Sequence, residues 1–235
     1  IEMALASPNN AFCSVSQSAA LTLASYTVEQ SEMHLKVHEL ADAFQRKIQE
    51  MSQSGLNYLY KEHFHNIVSP GANSNINFDV KKACSKALTA RILVRPSVIA
   101  AGRDTLASAV YNFTKIQTHI GSDYFPNQPL QVDATPTLNN INESYYYSLY
   151  AQDKLEQWSP TSVSPAQFLG VASYLNYNNG VICFSFNKSN VSDLAGYTTS
   201  NSRALLVDLQ QSSAVDIRLD VYLTFLRLAK VYQSN

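Results

Sequence analysis

Charge is what this sequence has least of. Asp, Glu, Lys and Arg make up only 15% of its 235 residues, and they nearly cancel, at −1. Such a balance leaves no electrostatic footprint for nucleic acid or for an anionic membrane. Cysteine is scarce as well. Cys13, Cys84 and Cys183 are odd in number, widely separated and form no CxxC pair. They read as buried free thiols rather than as a metal or redox site, and reduced cysteines suit the cytosol or nucleus. No apolar run is long enough to span a bilayer. There is no P-loop, no GxGxxG and no GxSxG, so the common nucleotide and hydrolase signatures are missing. The first residue is Ile and no signal-peptide pattern follows. The sequence therefore reads as a fragment, or as a product cut from a longer precursor.

What the sequence does have is 46% apolar residues, 14 tyrosines and abundant Asn, Ser and Gln. The apolar share is enough for a core. The polar but weakly charged remainder suits a packed assembly or a secreted β-protein. The length fits one large all-β domain, or one domain plus a piece of another.

Taken in order, residues 1–31 are rich in Ser and Ala, with one strand expected over Ala19–Val28. Met33, Leu35 and Val37 then alternate with Glu32, His34, Lys36 and His38, a half-buried strand. From Glu39 the period lengthens. Leu40, Phe44, Ile48 and Met51 fall three or four apart and Gly55 follows, which predicts a short amphipathic helix with a glycine stop. Leu56–Val68 reads as a strand, 69–75 as a loop and Ile76–Val80 as a short strand. Lys81–Arg95 stays open between a helix and a buried strand, because periodicity does not decide a continuous apolar run; Pro96 ends it. A helical turn is expected near Asp104–Val110.

Tyr111–Leu130 reads as a strand ending at Gly121, then an extended crossing that leaves the sandwich. Tyr124 and Phe125 anchor this crossing. Pro126 and Pro129 fix φ, remove two donors and keep it from pairing as a further strand. A helix is expected over Asn140–Trp158 and a short one from Ser164-Pro165 to about Tyr174. Gly180–Phe186 and Arg203–Leu209 read as strands, with a polar loop over Asn187–Asn201 between them.

The last strand has the clearest alternation. Val215, Ile217, Leu219, Val221, Leu223 and Phe225 point one way, and Asp216, Arg218, Asp220, Tyr222 and Thr224 the other. The pattern breaks at Leu226-Arg227-Leu228, which predicts a β-bulge or a change of face. Many strands joined by long polar loops argue an all-β fold, a jelly-roll or Greek-key β-sandwich with short helices in the loops.

No catalytic, cofactor-binding or metal-ligating residue emerges. His34 and His38 lack a third ligand, and His63 and His65 share one strand face; both pairs read as exposed polar residues. Asp216 and Asp220 share a face with Arg218 between them, which points to charge compensation rather than acid–base work. Sequons at Asn112, Asn142, Asn187 and Asn190 arise by chance in an Asn- and Ser-rich chain. Tyr145-Tyr146-Tyr147 with Tyr150 reads as core and inter-subunit packing.

The order of these features resembles one family. HIGSDYFPNQPLQVDA is followed by the tyrosine-rich segment, then by GVICFSFNKSNVSDLAGYTTSNSRALLVDLQ and finally by DIRLDVYLTFL. This is similar to the C-terminal jelly roll of double-jelly-roll major capsid proteins of DNA viruses, in the polinton, adintovirus and virophage branch. The IG-x-x-YP-x-x-P crossing of that family has its counterpart in IGSDYFPNQP at 120–129, where Phe125 stands as an extra residue between Tyr124 and Pro126. Its Gly-x-x-Thr element is matched by Gly196, Tyr197, Thr198 and Thr199.

The resemblance covers about residues 53–235 and implies that 1–52 holds the closing strands of a preceding jelly roll plus a linker helix. It further implies a structural protein of the virion, assembled in the host nucleus or cytoplasm. Such subunits form homotrimers of pseudo-hexagonal outline that tile an icosahedral shell with neighbouring capsomers and with minor capsid or penton proteins. Neither an enzyme, a cofactor, a direct nucleic-acid contact nor a membrane span is expected. A carbohydrate- or receptor-binding jelly-roll module is the alternative.

Overall fold

The computed structural model describes residues 25–29, 32, 34, 41–97, 113–131, 143–152, 165, 168, 180–186, 196–200 and 203–231. Of the strand expected over Ala19–Val28 only residues 25–28 are described, and they form neither helix nor strand. Most of the strand expected at 32–40 and the turn near 104–110 lie outside the described residues. Within them the elements run α1 (Asp42–Ser54), β1 (Leu56–Gly71), β2 (Asn75–Val80), β3 (Cys84–Pro96), β4 (Phe113–Ile120), β5 (Asp123–Leu130), α2 (Glu143–Tyr150), β6 (Val181–Ser185), β7 (Tyr197–Thr199), β8 (Leu205–Gln211) and β9 (Ile217–Val231).

The helix α1 forms where the longer apolar period ends in glycine. Asp42 in its first turn complements the helix dipole, and Gly55 leaves the helix at φ 89°, a left-handed value that favours glycine. Its apolar stripe stays exposed: Phe44 is 65% accessible, and Ile48 and Met51 are open too.

The strands assemble into two antiparallel sheets, ordered β1-β9-β3-β6 and β2-β8-β4-β5, with β7 added beside β3. Apart from β7, the pairing is nested. The first strand pairs with the last, the second with β8, β3 with β6, and β4 with β5. This is one long two-stranded ribbon whose far end is the β4–β5 hairpin. Rolled up, it is held by the added contacts β3–β9 and β4–β8. Nested pairing closed into two packed sheets is the jelly roll, and the all-β expectation holds.

Rows of side chains cross each sheet toward the other. Phe64, Leu223, Ala90 and Phe184 lie in register across the first. Ile76, Leu209 and Ile116 do so across the second, and Val80, Leu205 and Ile120 two steps further, beyond the row Phe78, Val207 and Thr118. All belong to or pack against one core. Thr118 is a polar residue buried within it; its hydroxyl donates to the Leu206 carbonyl at 2.6 Å, so its polar group is satisfied. Lys82 closes one end of the core, its ammonium 5.3 Å from the Phe64 ring centre and 5.2 Å from that of Phe225, within cation–π range.

Four expectations are corrected. First, Asp123–Leu130 is a strand paired with β4, not a crossing that leaves the sandwich. Gly121, at φ 63°, opens the two-residue turn that a tight hairpin needs. The prolines are tolerated because β5 is a sheet edge, where a missing donor breaks no ladder. The register slips between Ile116 and Thr118, and the Gln117 amide fills the gap by donating to Pro126 O at 3.1 Å and Asn127 O at 3.4 Å.

Second, the polar stretch 187–201 contains β7. Three residues are too few for a period to be visible. Third, Leu226–Leu228 carries no bulge against β1, where the register runs unbroken. The irregularity lies in β3 between Ala87 and Thr89, opposite Phe225 and Thr224. Leu226 is buried on the second face, while Leu228 is exposed on the same face. Fourth, the expected loop at 69–75 begins late, since β1 continues to Gly71.

Candidate functional site

The two stretches that carried the family resemblance lie far apart in sequence and meet in the structure. Phe125, from the β4–β5 hairpin, packs edge-on against Tyr197 of β7 at 4.8 Å and against Phe186 at 5.2 Å. Beside this aromatic trio, Arg203 reaches Asp123 at 3.2 Å. A Cβ on Gly121 would come within 3.2 Å of the Arg203 Nε. The hairpin turn is thus held both by an apolar contact and by an ion pair at its rim.

The Gly-Tyr-Thr-Thr element fixes the start of β3. Thr199 Oγ1 donates to Lys82 O at 2.7 Å and accepts from the Cys84 amide at 3.0 Å. Thr198 Oγ1 donates to Ser85 O at 2.9 Å. Gly196 is needed for close approach, because a Cβ there would sit 2.5 Å from the Ala87 carbonyl oxygen. Gly196→Ala must therefore separate β7 from β3, and we expect a loss of about 1–3 kcal/mol. Urea unfolding measures it, and an unchanged midpoint would contradict this reading of the junction.

A second cluster stands on the outer face of the β1–β9–β3 sheet. Asp220 is 1% exposed. Its Oδ1 accepts from Arg218 Nη2 at 2.8 Å and Nε at 3.1 Å, and lies 3.3 Å from His65 Nε2. Arg95 Nε stands 3.3 Å from Oδ2, without the alignment of a hydrogen bond. The His65 ring stacks on Tyr222 at 4.4 Å, and His63 Nδ1 lies 3.0 Å from Thr224 Oγ1. The pairing of Asp220 with Arg218 agrees with charge compensation. The exposed Asp216 stands outside the cluster. His65 was expected only as an exposed polar residue beside His63, and neither it nor Arg95 was joined to Asp220. Their approach depends on the β1–β9 and β3–β9 registers, which alternation alone does not set.

The other weighed residues fall in place. His34 is exposed, with Nε2 3.2 Å from Glu32; His38, Cys13 and the four sequons lie outside the described residues. Tyr145 is buried against Phe168, and Tyr147 packs against the core. Tyr146 and Tyr150 are exposed, so α2 divides its tyrosines between core and surface. Burial pushes the Tyr147 hydroxyl up to about 12 against a lowering backbone hydrogen bond at Ser185. It also pushes the Cys183 thiol up to about 12. Burial raises Cys84 too, opposed by its hydrogen bond to Thr199. Both thiols stay protonated at neutral pH and are poor nucleophiles. Among the described residues no group of three His, Cys, Asp or Glu side chains gathers to hold a metal ion. No described helix is long and apolar enough to cross a membrane.

No family model and no curated protein matches the chain. Among solved structures it is similar to the Faustovirus major capsid protein, with a TM-score of 0.52 at 9% identity over 83% of this chain and 36% of that one. It is also similar to the quasi-atomic model of the PBCV-1 virus capsid, at 0.44 and 11% over 82% and 52%. A third likeness is to PBCV-1 VP54 fitted into a reconstruction of the virophage Sputnik, at 0.45 and 10% over 82% and 52%. The chain thus spans about a third of the Faustovirus chain and half of each of the others. At such identities the likeness concerns the fold, and the Faustovirus match carries it. That fold likeness agrees with the resemblance read from the motifs.

Proposed function

We propose that this chain is part of a viral major capsid protein, a structural subunit without catalytic activity. The observation that carries the reading is the junction of the two motifs. The hairpin motif and the Gly-Tyr-Thr-Thr element, recognised separately, pack on each other through Phe125 and Tyr197 inside a fold shared with the Faustovirus protein.

On this reading residues 53–235 are the C-terminal jelly roll, and 1–52 supply closing strands of a preceding one and the linker helix. The exposed apolar stripe of α1, outside the rolled ribbon, supports a helix made to lie between larger bodies. The subunit forms a homotrimer of pseudo-hexagonal outline and tiles an icosahedral shell with neighbouring capsomers and minor capsid or penton proteins. Its place is the virion of a DNA virus, assembled in the host nucleus or cytoplasm.

The surface chemistry agrees. Asn-, Ser-, Gln- and Tyr-rich faces can be buried between neighbours at lower desolvation cost than charged ones. Light scattering of the full-length protein is expected to report trimers or larger arrays. A mass that stays monomeric at high concentration would overturn the proposal.

A further inference from the structure

We propose that the free end of the β1–β9 pair is a tongue gripped by the part of the same chain that precedes α1, so that a packed interface joins the two bodies of one subunit. The inference rests on the capsid reading, which puts a preceding jelly roll there, and it names the surface that receives it.

Strand β9 pairs with both β1 and β3 as far as Phe225. Beyond it, Leu226–Val231 pair with β1 alone among the described residues, over Leu56–Lys61. This two-stranded end runs about 20 Å past β3. The ion pair of Arg227 with Glu62, at 2.7 Å, stands where it leaves the core. By alternation Tyr58 and Tyr60 continue the core-facing side, while Leu59 and Leu228, directly opposite each other, lie on the outer side. All four are exposed, so the tongue is apolar and open on both faces. Strand β1 is also the edge of its sheet, and an edge leaves a row of backbone groups ready for a further strand. Two strands alone are marginally stable in water, and apolar surface gathered in one place marks a contact.

The path of the chain says what covers it. Gly55 joins the end of α1 directly to Leu56, the first residue of the tongue. The preceding chain therefore arrives at the tongue itself, along a helix whose Phe44, Ile48 and Met51 are exposed too. A body tethered by so short a connection has an effective concentration on the order of millimolar, with which a second copy must compete. Residues 1–40 carry apolar side chains of their own, among them Leu21, Leu23, Met33, Leu35 and Val37. This chain spans 36% of the Faustovirus chain, so a protein of that fold has length for a second body.

Hydroxyl-radical footprinting of the full-length protein, read peptide by peptide in a mass spectrometer, tests the cover with residues of one kind. Tyr58 and Tyr60, 53% and 42% exposed, match Tyr124 and Tyr146, 46% and 47% exposed. The tongue tyrosines are expected to react about fivefold more slowly than this reference pair, as a face open less than about a fifth of the time requires. Equal rates overturn the inference. Lysine cross-linking of protein assembled from equal amounts of light- and heavy-isotope chains identifies the cover. Lys61 and Lys230 are expected to link to residues before α1 within one isotope. Links that pair light with heavy chains, or no link to that part of the chain, overturn the inference. Sedimentation velocity on the same samples judges the capsid reading separately. Trimers with fast tongue tyrosines leave that reading standing and overturn the tongue. Slow tongue tyrosines in a protein that stays monomeric support the tongue and overturn that reading.

Discussion

Asp220→Ala is expected to lower stability by about 3 kcal/mol, toward the lower end for breaking a buried ion pair. The carboxylate is nearly inaccessible and takes two hydrogen bonds from Arg218. Its removal leaves Arg95 and Arg218 side by side across neighbouring strands, with Arg95 Nε already buried. The loss stays near the lower end because both arginines are partly exposed and can turn toward water. Urea unfolding at neutral pH measures it. Asp220→Asn, which keeps shape and loses charge, should fall between the wild type and Ala. A loss below about 1 kcal/mol for Ala would mean that the cluster contributes no more than an exposed ion pair does.

Phe184→Ala is expected to cost about 3–5 kcal/mol. Phe184 has no accessible surface and sits in register with Ala90, whose small side chain cannot fill the space left behind. In a domain of this size each kcal/mol lowers Tm by about 2–4 °C, so a fall of roughly 10 °C is predicted. Calorimetry checks it. A change of less than about 3 °C would show that the two sheets do not bury this ring between them.

The parts of this fold that were legible in the sequence are those whose apolar residues keep one period. Ile217 to Phe225 alternates plainly because β9 turns its apolar side chains to the core and polar ones to the other face, although Asp220 and Thr224 there are buried too, and α1 declares itself through the spacing of Phe44, Ile48 and Met51 before Gly55. The run Leu88–Val94 was undecidable for a physical reason. β3 lies in the interior of its sheet, between β9 and β6, and the slip between Ala87 and Thr89 shifts the period as it forms. Pro126 and Pro129 are read in the sequence as keeping the segment from pairing as a further strand, which is wrong because they do not forbid an edge one. Asp220 illustrates the remaining limit. Alternation put it on the polar face, which is right, while its burial comes from Arg95 and His65, distant residues that register brings beside it. The motif junction was visible as two separate motifs; that Phe125 touches Tyr197 followed only from the rolling of the ribbon.

The most direct test of the capsid reading is electron microscopy of the purified full-length protein in negative stain. The account predicts three-fold particles of pseudo-hexagonal outline, alone or packed in sheets or shells. A uniform field of single monomers at high protein concentration would contradict it.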